Sequence, residues 1–365
     1  MKKIVIAAWH LANPNVGIGR YCRSLLDTLG RIESQYRFEI FVPIQHVIQP
    51  SRGRLRFRAV RLPVFRRRTW EQVVSLLASP YDLLHFPHDS SVIWKRGKFL
   101  VTIHDVKPLL FPPFKSKWNL NRWLYQMFVP DRCQQADRIL TVSQYSRKDL
   151  MTHLNLPPER ISVVYQGVDT QTFHPLSASE KSSYVGKKFI LSVAGEDPTK
   201  NLETLIQAFA QLPSSLRETH ELILAGDLRR RADLRELVGD LRLYNDVRFS
   251  GVVSEHELVR LYQQASVFVF PSLYEGFGLP VLEAMACGCP VICSNTSSLP
   301  EVAGESAYMF DPKDSGALAR ALEYVLTDAG MRKRLVEAGL ARARQFTWEQ
   351  TASELMAVYD SMLHS

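Results

Sequence analysis

Residues 266–295 read SVFVFPSLYEGFGLPVLEAMACGCPVICSN, and the fold is decided there. The apolar run Ser266 to Phe270 stops at Pro271 and Ser272. A turn rich in glycine and proline follows, then the helix formers VLEAMA, then a second apolar run in PVICSN. Strand, helix and strand in so short a length form a crossover unit with parallel strands. Such strands are covered on both faces, so their residues need not alternate between apolar and polar.

The same punctuation continues outward. Upstream lie KFILSVAG, then NLETLIQAFAQL with Leu202, Leu205, Ile206 and Phe209 at helical spacing, then ELILAGD, an Arg- and Leu-rich helix, VRFSGVV and SEHELVRLYQQA. The first half repeats the alternation with KKIVIAAW, IGRYCRSLLDTLG, FEIFVPI, YDLLHFP, KFLVTIHD, DRILTVS and ISVVYQGVD. A chain of 365 residues exceeds one ordinary core. The expectation is therefore α/β: two doubly wound, Rossmann-like domains facing a cleft, with ligands at the carboxyl ends of the strands. Residues 1–175 form the first domain, the polar stretch 176–187 a linker, and 188–345 the second domain, with an amphipathic helix capped by Thr347 at the end.

Composition narrows the classes. The hydrophobic share of 46% and charged share of 22% are those of a globular protein, and no run of about 18 apolar residues signals a membrane helix. MKKIVIAAWH carries too short an apolar run for a secretory signal and reads as a first strand. Cys22, Cys133, Cys287, Cys289 and Cys293 have no Cys-x-x-Cys spacing, which suits reduced thiols in a cytoplasmic protein. The net charge of +8 is concentrated in SRGRLRFRAVRLPVFRRR. Arg52 to Arg68 reads either as a solvated edge strand or as a contact with an anionic membrane face or phosphorylated acceptor. No nucleic-acid motif accompanies the charge. FPPFKSKWNLNRWLYQMF, residues 111–128, suits core aromatics, a membrane interface or an acceptor groove.

The turn in residues 275–280 poses the chemical question: why flank Gly-Phe-Gly-Leu-Pro with Glu275 and Glu283? Pro280 marks a helix start, and Gly276 and Gly278 upstream can expose their N–H groups with no Cβ in the way. Amides at a helix N-terminus attract an anion such as a diphosphate. Two carboxylates would repel that anion, so their partners are neutral hydroxyls. Glu283, expected in the first helical turn, accepts from a ribose, and Glu275 meets the group across the diphosphate. One turn thus suits a nucleoside-diphosphate sugar. The plain alternative is a loop charge and a charge interacting with the helix dipole.

PSLYEGFGLPVLEAMACGCPV resembles the signature of the retaining glycosyltransferases of family 4, group 1 glycosyltransferases of GT-B fold. Glu275 and Glu283, with seven residues between them, carry the match. VSQYSRKDL, ISVVYQGVD and VTIHDVKPLL extend it over nearly the whole chain. The resemblance implies that Glu275 contacts the donor sugar, that Glu283 holds the ribose, and that Gly276, Phe277, Gly278 and Leu279 line the donor site. It also implies that residues 346–365 return to pack on the first domain. Lys200 in GEDPTKN follows a strand and can neutralise a diphosphate leaving group. The family's Arg five residues earlier is Gly195 here, which resembles a subgroup with many mannosyltransferase-like members.

The other expected positions are weaker. Gly17 and Gly19 in NPNVGIGR lack the third glycine of a dinucleotide fingerprint, Cys22 standing there instead. The resemblance brings that loop to the donor phosphate and acceptor, with Arg20 adding charge on the acceptor side. His104 and Asp105 end a strand, where His104 could bond a sugar hydroxyl; a satisfied structural histidine with Asp105 as a cap is the other reading. Val252, with Val253, belongs to the family's base pocket, and Gly226, with Arg229 or Arg230, to the phosphate side. His85 and His88 have no carboxylate pattern to complete a metal site.

The resulting expectation is a retaining transferase that moves a hexose, mannose first, from GDP-mannose or a UDP-sugar to an acceptor hydroxyl in polysaccharide or glycolipid synthesis. Glu275, Lys200 and His104 carry catalysis. No metal and no cofactor beyond the donor are expected. The acceptor is a saccharide or is lipid-linked, and localisation is cytoplasmic or peripheral on the membrane's inner face. The rivals are a GT-B epimerase or phosphorylase, and a non-catalytic sugar-nucleotide-binding scaffold.

Overall fold

The computed structural model describes residues 1–13, 17–43, 55–60, 67–90, 92, 94–111, 134–176 and 187–364. Residues 112–128 of the aromatic and basic stretch lie outside these, as do 177–186 of the expected linker, Arg52, Arg54, Arg61, Arg66 and Cys133. The chain divides into two compact units, Met1–Gly167 with Trp348–Ser365, and Val168–Thr347.

In the first unit the described strands are β1 (Lys3–Ala7), β2 (Arg37–Pro43), β3 (Arg56–Val60), β4 (Leu83–Phe86), β5 (Lys98–Thr102), β6 (Arg138–Thr141) and β7 (Ile161–Val163). They run parallel in the order β3-β2-β1-β4-β5-β6-β7. β1 shows why an unalternating apolar run folds this way. Ile4 and Ile6 enter one core cluster, with Leu25, Leu26, Trp348, Leu355 and Tyr359, while Val5 and Ala7 enter the other, with Trp70, Leu84 and Leu150. Both faces are apolar because both are covered by helices. The final helix, Trp348–His364, is part of this unit and buries Trp348, Ala352, Leu355, Tyr359 and Met362 in it. On edge strand β3, Arg58 pairs with Glu39 of β2 at 3.0 Å, as an arginine on a solvated edge does.

The second unit has β8 (Lys188–Val193), β9 (His220–Ala225), β10 (Val247–Gly251), β11 (Val267–Phe270), β12 (Val291–Ser294) and β13 (Tyr308–Phe310). The parallel order is β10-β9-β8-β11-β12-β13. β13 has no counterpart in the sequence reading, its Tyr308–Phe310 lying between the polar GES and the DPKD turn. The helix Glu255–Gln264 is fixed at its start by a capping box, Ser254 Oγ accepting from the Glu257 amide and Glu257 accepting from the Ser254 amide. No helix among the described residues is long and apolar enough to cross a membrane.

Candidate active site

Strand order in the second unit reverses between β8 and β11, and the loops leaving the carboxyl ends of these two strands lie at the switch point where open α/β sheets bind ligands. Those loops carry Lys200 and Glu275. They are stitched together, the Leu273 amide donating to Thr199 O at 2.7 Å and Asn201 Nδ2 donating to Pro271 O at 3.0 Å and Pro312 O at 2.8 Å. Asp197 accepts from the Thr199 amide at 2.9 Å and caps the short 3-10 turn Pro198–Lys200. The lysine is thereby aimed. Its Nζ lies 2.6 Å from Glu275 Oε1 and 5.1 Å from the centre of the Phe270 ring.

Two serines hold the Glu275–Leu279 turn. The Glu275 amide donates to Ser297 Oγ at 3.1 Å, and Ser298 Oγ reaches the carbonyls of Glu275 at 3.0 Å and Phe277 at 2.7 Å. In a trans peptide the C=O and N–H point in opposite directions. Fixing those two carbonyls on Ser298 therefore turns the N–H groups of Gly276 and Gly278 the other way. Gly278 has φ of 113°, which favours glycine, and a Cβ there would push on the Leu299 Cδ2 methyl 2.7 Å away. The helix Leu279–Ala286 begins immediately after it.

Glu283 is the fifth residue of that helix and not in its first turn, which corrects the sequence expectation. Its carboxylate is 3% exposed and accepts from the Tyr262 hydroxyl at 3.2 Å. Tyr262 is buried against Phe268. Lys200, Glu275, Gly276, Phe277, Gly278, Leu279 and Glu283 thus come together within one unit. Ser297, Ser298 and Tyr262 escaped the sequence reading. The available signal was the serine pair after β12, the strand beside β11, whose loop opens on the same sheet edge.

Gly226, at φ 132°, follows β9; a Cβ on it would meet Ala194 O at 1.8 Å, so close backbone approach alone demands glycine. Arg229 pairs with Asp227 at 2.7 Å and Arg230 with Glu196 at 3.6 Å. A Cβ on Gly195 meets nothing within 4 Å, so crowding does not explain the missing family arginine. Val252 lies beyond edge strand β10 and is 72% exposed.

The remaining expected residues belong to the first unit. The helix Gly17–Leu29 begins one residue before the expected run IGRYCRSLLDTLG, so Gly17, Gly19 and Arg20 all lie in its first turn. A Cβ on Gly19 would stand 1.9 Å from Asn13 O, whereas Gly17, at φ 45°, faces open space. His104 donates from Nε2 to Pro87 O at 3.1 Å and accepts at Nδ1 from Gln166 at 3.2 Å, with Tyr21 edge-on to its ring. Burial lowers its pKa, which keeps it neutral. Asp105 accepts from the Lys107 amide at 2.9 Å.

His88 is fully buried and donates to Glu71, which also accepts from Ser90 and pairs with Arg67. Arg67 in turn holds Asp89 at 2.8 Å. His85 lies between the Tyr359 hydroxyl at 2.7 Å and Thr102 Oγ1 at 2.9 Å. Among the described residues no three His, Cys, Asp or Glu side chains are arranged to hold a metal ion. The described cysteines are free and buried, and burial pushes the thiols of Cys287 and Cys293 up to about 12.

Comparison with known proteins shows the family and the fold. Residues 17–172 match the family described as Glycosyltransferase Family 4, and residues 176–342 that described as Glycosyl transferases group 1. O-antigen chain mannosyltransferase B of Escherichia coli is 30% identical over a 385-residue alignment, covering 98% of this chain and 99% of that protein. Serotype-specific mannosyltransferase WbdA of Escherichia coli is 32% identical across 75% of this chain, but only 34% of WbdA is covered. Among solved structures, Anabaena Alr3699/HepE in complex with UDP-glucose aligns at TM-score 0.79 and 18% identity, covering 99% of this chain and 100% of that one. The fold is GT-B, and the protein is a glycosyltransferase. More particularly, the chain belongs to glycosyltransferase family 4.

Proposed function

We propose that the protein transfers mannose from a nucleoside-diphosphate mannose to a hydroxyl of a growing saccharide, with retention at the anomeric carbon. One observation carries the reading: Lys200 and Glu275 meet at the switch point of the second sheet, beside the N-terminus of the helix that holds Glu283. Lys200 and the amides of the 276–279 turn would take the diphosphate as its negative charge grows during bond cleavage. Glu283, oriented by Tyr262, would accept from the ribose diol, and Glu275 would accept from hydroxyls of the sugar. Because Lys200 and the helix amides already serve the diphosphate, the site is read as metal-free. Retention would follow from departure and attack on one face, with the leaving diphosphate taking the acceptor proton. His104, with both ring nitrogens engaged by protein groups, would position the neighbouring loop and not exchange protons. Gly17, Gly19, Arg20 and Asp105 stay with the acceptor side in this reading.

Mannose is favoured by the names of the two relatives, both mannosyltransferases, and a saccharide acceptor by the O-antigen chain on which the first is named to act. The UDP-glucose bound by the Anabaena protein keeps UDP-sugars in the test. A lipid-linked acceptor would place the protein at the cytoplasmic face of a membrane, to which the Arg52–Arg68 stretch would be drawn. Within it, Arg58 and Arg67 are already paired with Glu39 and Asp89.

The test is a thermal-shift titration with GDP-mannose, UDP-glucose and UDP-N-acetylglucosamine, with and without EDTA. A donor at a hundred times its Kd should add about 2.7 kcal/mol of stability. The expected outcome is a response to GDP-mannose that EDTA does not change. A response to the UDP-sugars alone would replace mannose as the donor sugar. Silence from all three would refute the donor-site reading.

A further inference from the structure

The cation assigned to the diphosphate already has an anion. Lys200 Nζ and Glu275 Oε1 are 2.6 Å apart, and the two side chains are only 20% and 11% exposed. The arginines that follow β9 are paired as well, Arg229 with Asp227, Arg230 with Glu196 and Arg231 with Asp233. A phosphate that takes Lys200 must compete with a carboxylate already in place. For Lys200 that carboxylate is the group that would hold the donor's sugar.

A shielded carboxylate stripped of its cation is costly, more so than the same group at an open surface. A bare nucleoside diphosphate draws Lys200 away and gives Glu275 nothing in return. An intact sugar nucleotide draws Lys200 to its phosphates and offers sugar hydroxyls to Glu275 in the same step. Resting on the donor-site reading above, we infer that the Lys200–Glu275 pair is an exchange switch that selects the intact sugar nucleotide over the spent diphosphate. It also speeds release of the spent product. Once the hexose has gone to the acceptor, Glu275 loses its hydroxyl partners and competes again for Lys200. Glu275 is then a specificity residue as well as a sugar ligand, acting through a charge that penalises the diphosphate.

The test compares GDP, UDP, GDP-mannose and UDP-glucose by calorimetry on the full-length wild type and on Glu275→Gln, which keeps shape and hydrogen bonding but removes the charge. A charge-assisted contact is worth enough that Glu275→Gln should bind the matching diphosphate about tenfold tighter or more. Its affinity for the sugar nucleotide should rise less, or fall, so the preference shifts toward the diphosphate. The same substitution on a Lys200→Met background should give a smaller gain. An equal gain on both backgrounds would reduce the effect to plain charge repulsion and overturn the exchange. Unchanged diphosphate affinity in Glu275→Gln, with the wild type still binding a donor, would overturn the inference but leave the donor site standing. If the wild type binds none of the four probes, the donor-site reading fails and the inference with it.

Discussion

A histidine pressed between two neutral hydroxyls has nothing to welcome a proton. His85 is fully buried between Tyr359 and Thr102, and burial lowers its pKa from 6.5 to about 3. The unfolded chain therefore binds a proton below pH 6.5 that the folded chain refuses. The stabilisation is complete above pH 6.5 and is lost as pH falls toward 3, by about 1.4 kcal/mol per pH unit. Urea unfolding between pH 7 and pH 5 should show this slope in the wild type and a shallower one in His85→Asn; parallel slopes would remove His85 as the source. The sequence made Glu275, Glu283 and Lys200 readable because their residue types and spacing sit inside a turn with few alternatives. It did not make Tyr262, Ser297 or Ser298 readable. Each meets its partner across twenty or more positions, where neither periodicity nor a local motif speaks.

At the scale of elements, the parallel strands were easy to find and their ends were not. A strand covered on both faces is a continuous apolar run, so β1, β8, β11 and β12 announce themselves, whereas three-residue β13 does not. The first helix begins at Gly17, one residue ahead of the run IGRYCRSLLDTLG that reads as helical. Strand ends are also where close approach matters most. At Gly226 the ends of β8 and β9 meet backbone to backbone, leaving no flexible side chain to yield to a Cβ. Gly226→Ala should cost about 1–3 kcal/mol or more, since overpacking and a left-handed φ act together. The midpoint of chemical unfolding checks it, and a wild-type midpoint would mean that the Ala194 loop gives way freely.

For the whole molecule, the two units recognised by repeated strand-helix alternation differ in how they are completed. The second, Val168–Thr347, is continuous in sequence, whereas the first is closed by Trp348–Ser365. Those last residues are no appendage. Trp348, Ala352, Leu355, Tyr359 and Met362 share a core cluster with Ile4, Ile6 and Leu25, and Tyr359 holds His85. A chain ending at Thr347 should therefore keep a protease-resistant second unit while residues 1–167 are digested; equal resistance of both would show that the helix is dispensable.

The helix Trp348–His364 also sets a timetable for birth on the ribosome. Domains generally fold as they emerge, the N-terminal one first. Here the order is inverted, since the first unit must wait for a segment, Trp348–Ser365, that is made after the whole of the second unit. Throughout synthesis of residues 168–347, the nascent first unit shows the apolar groove that this helix will fill. The second unit, begun later, has its sequence complete before that helix is made, so the earlier unit is closed after the later one.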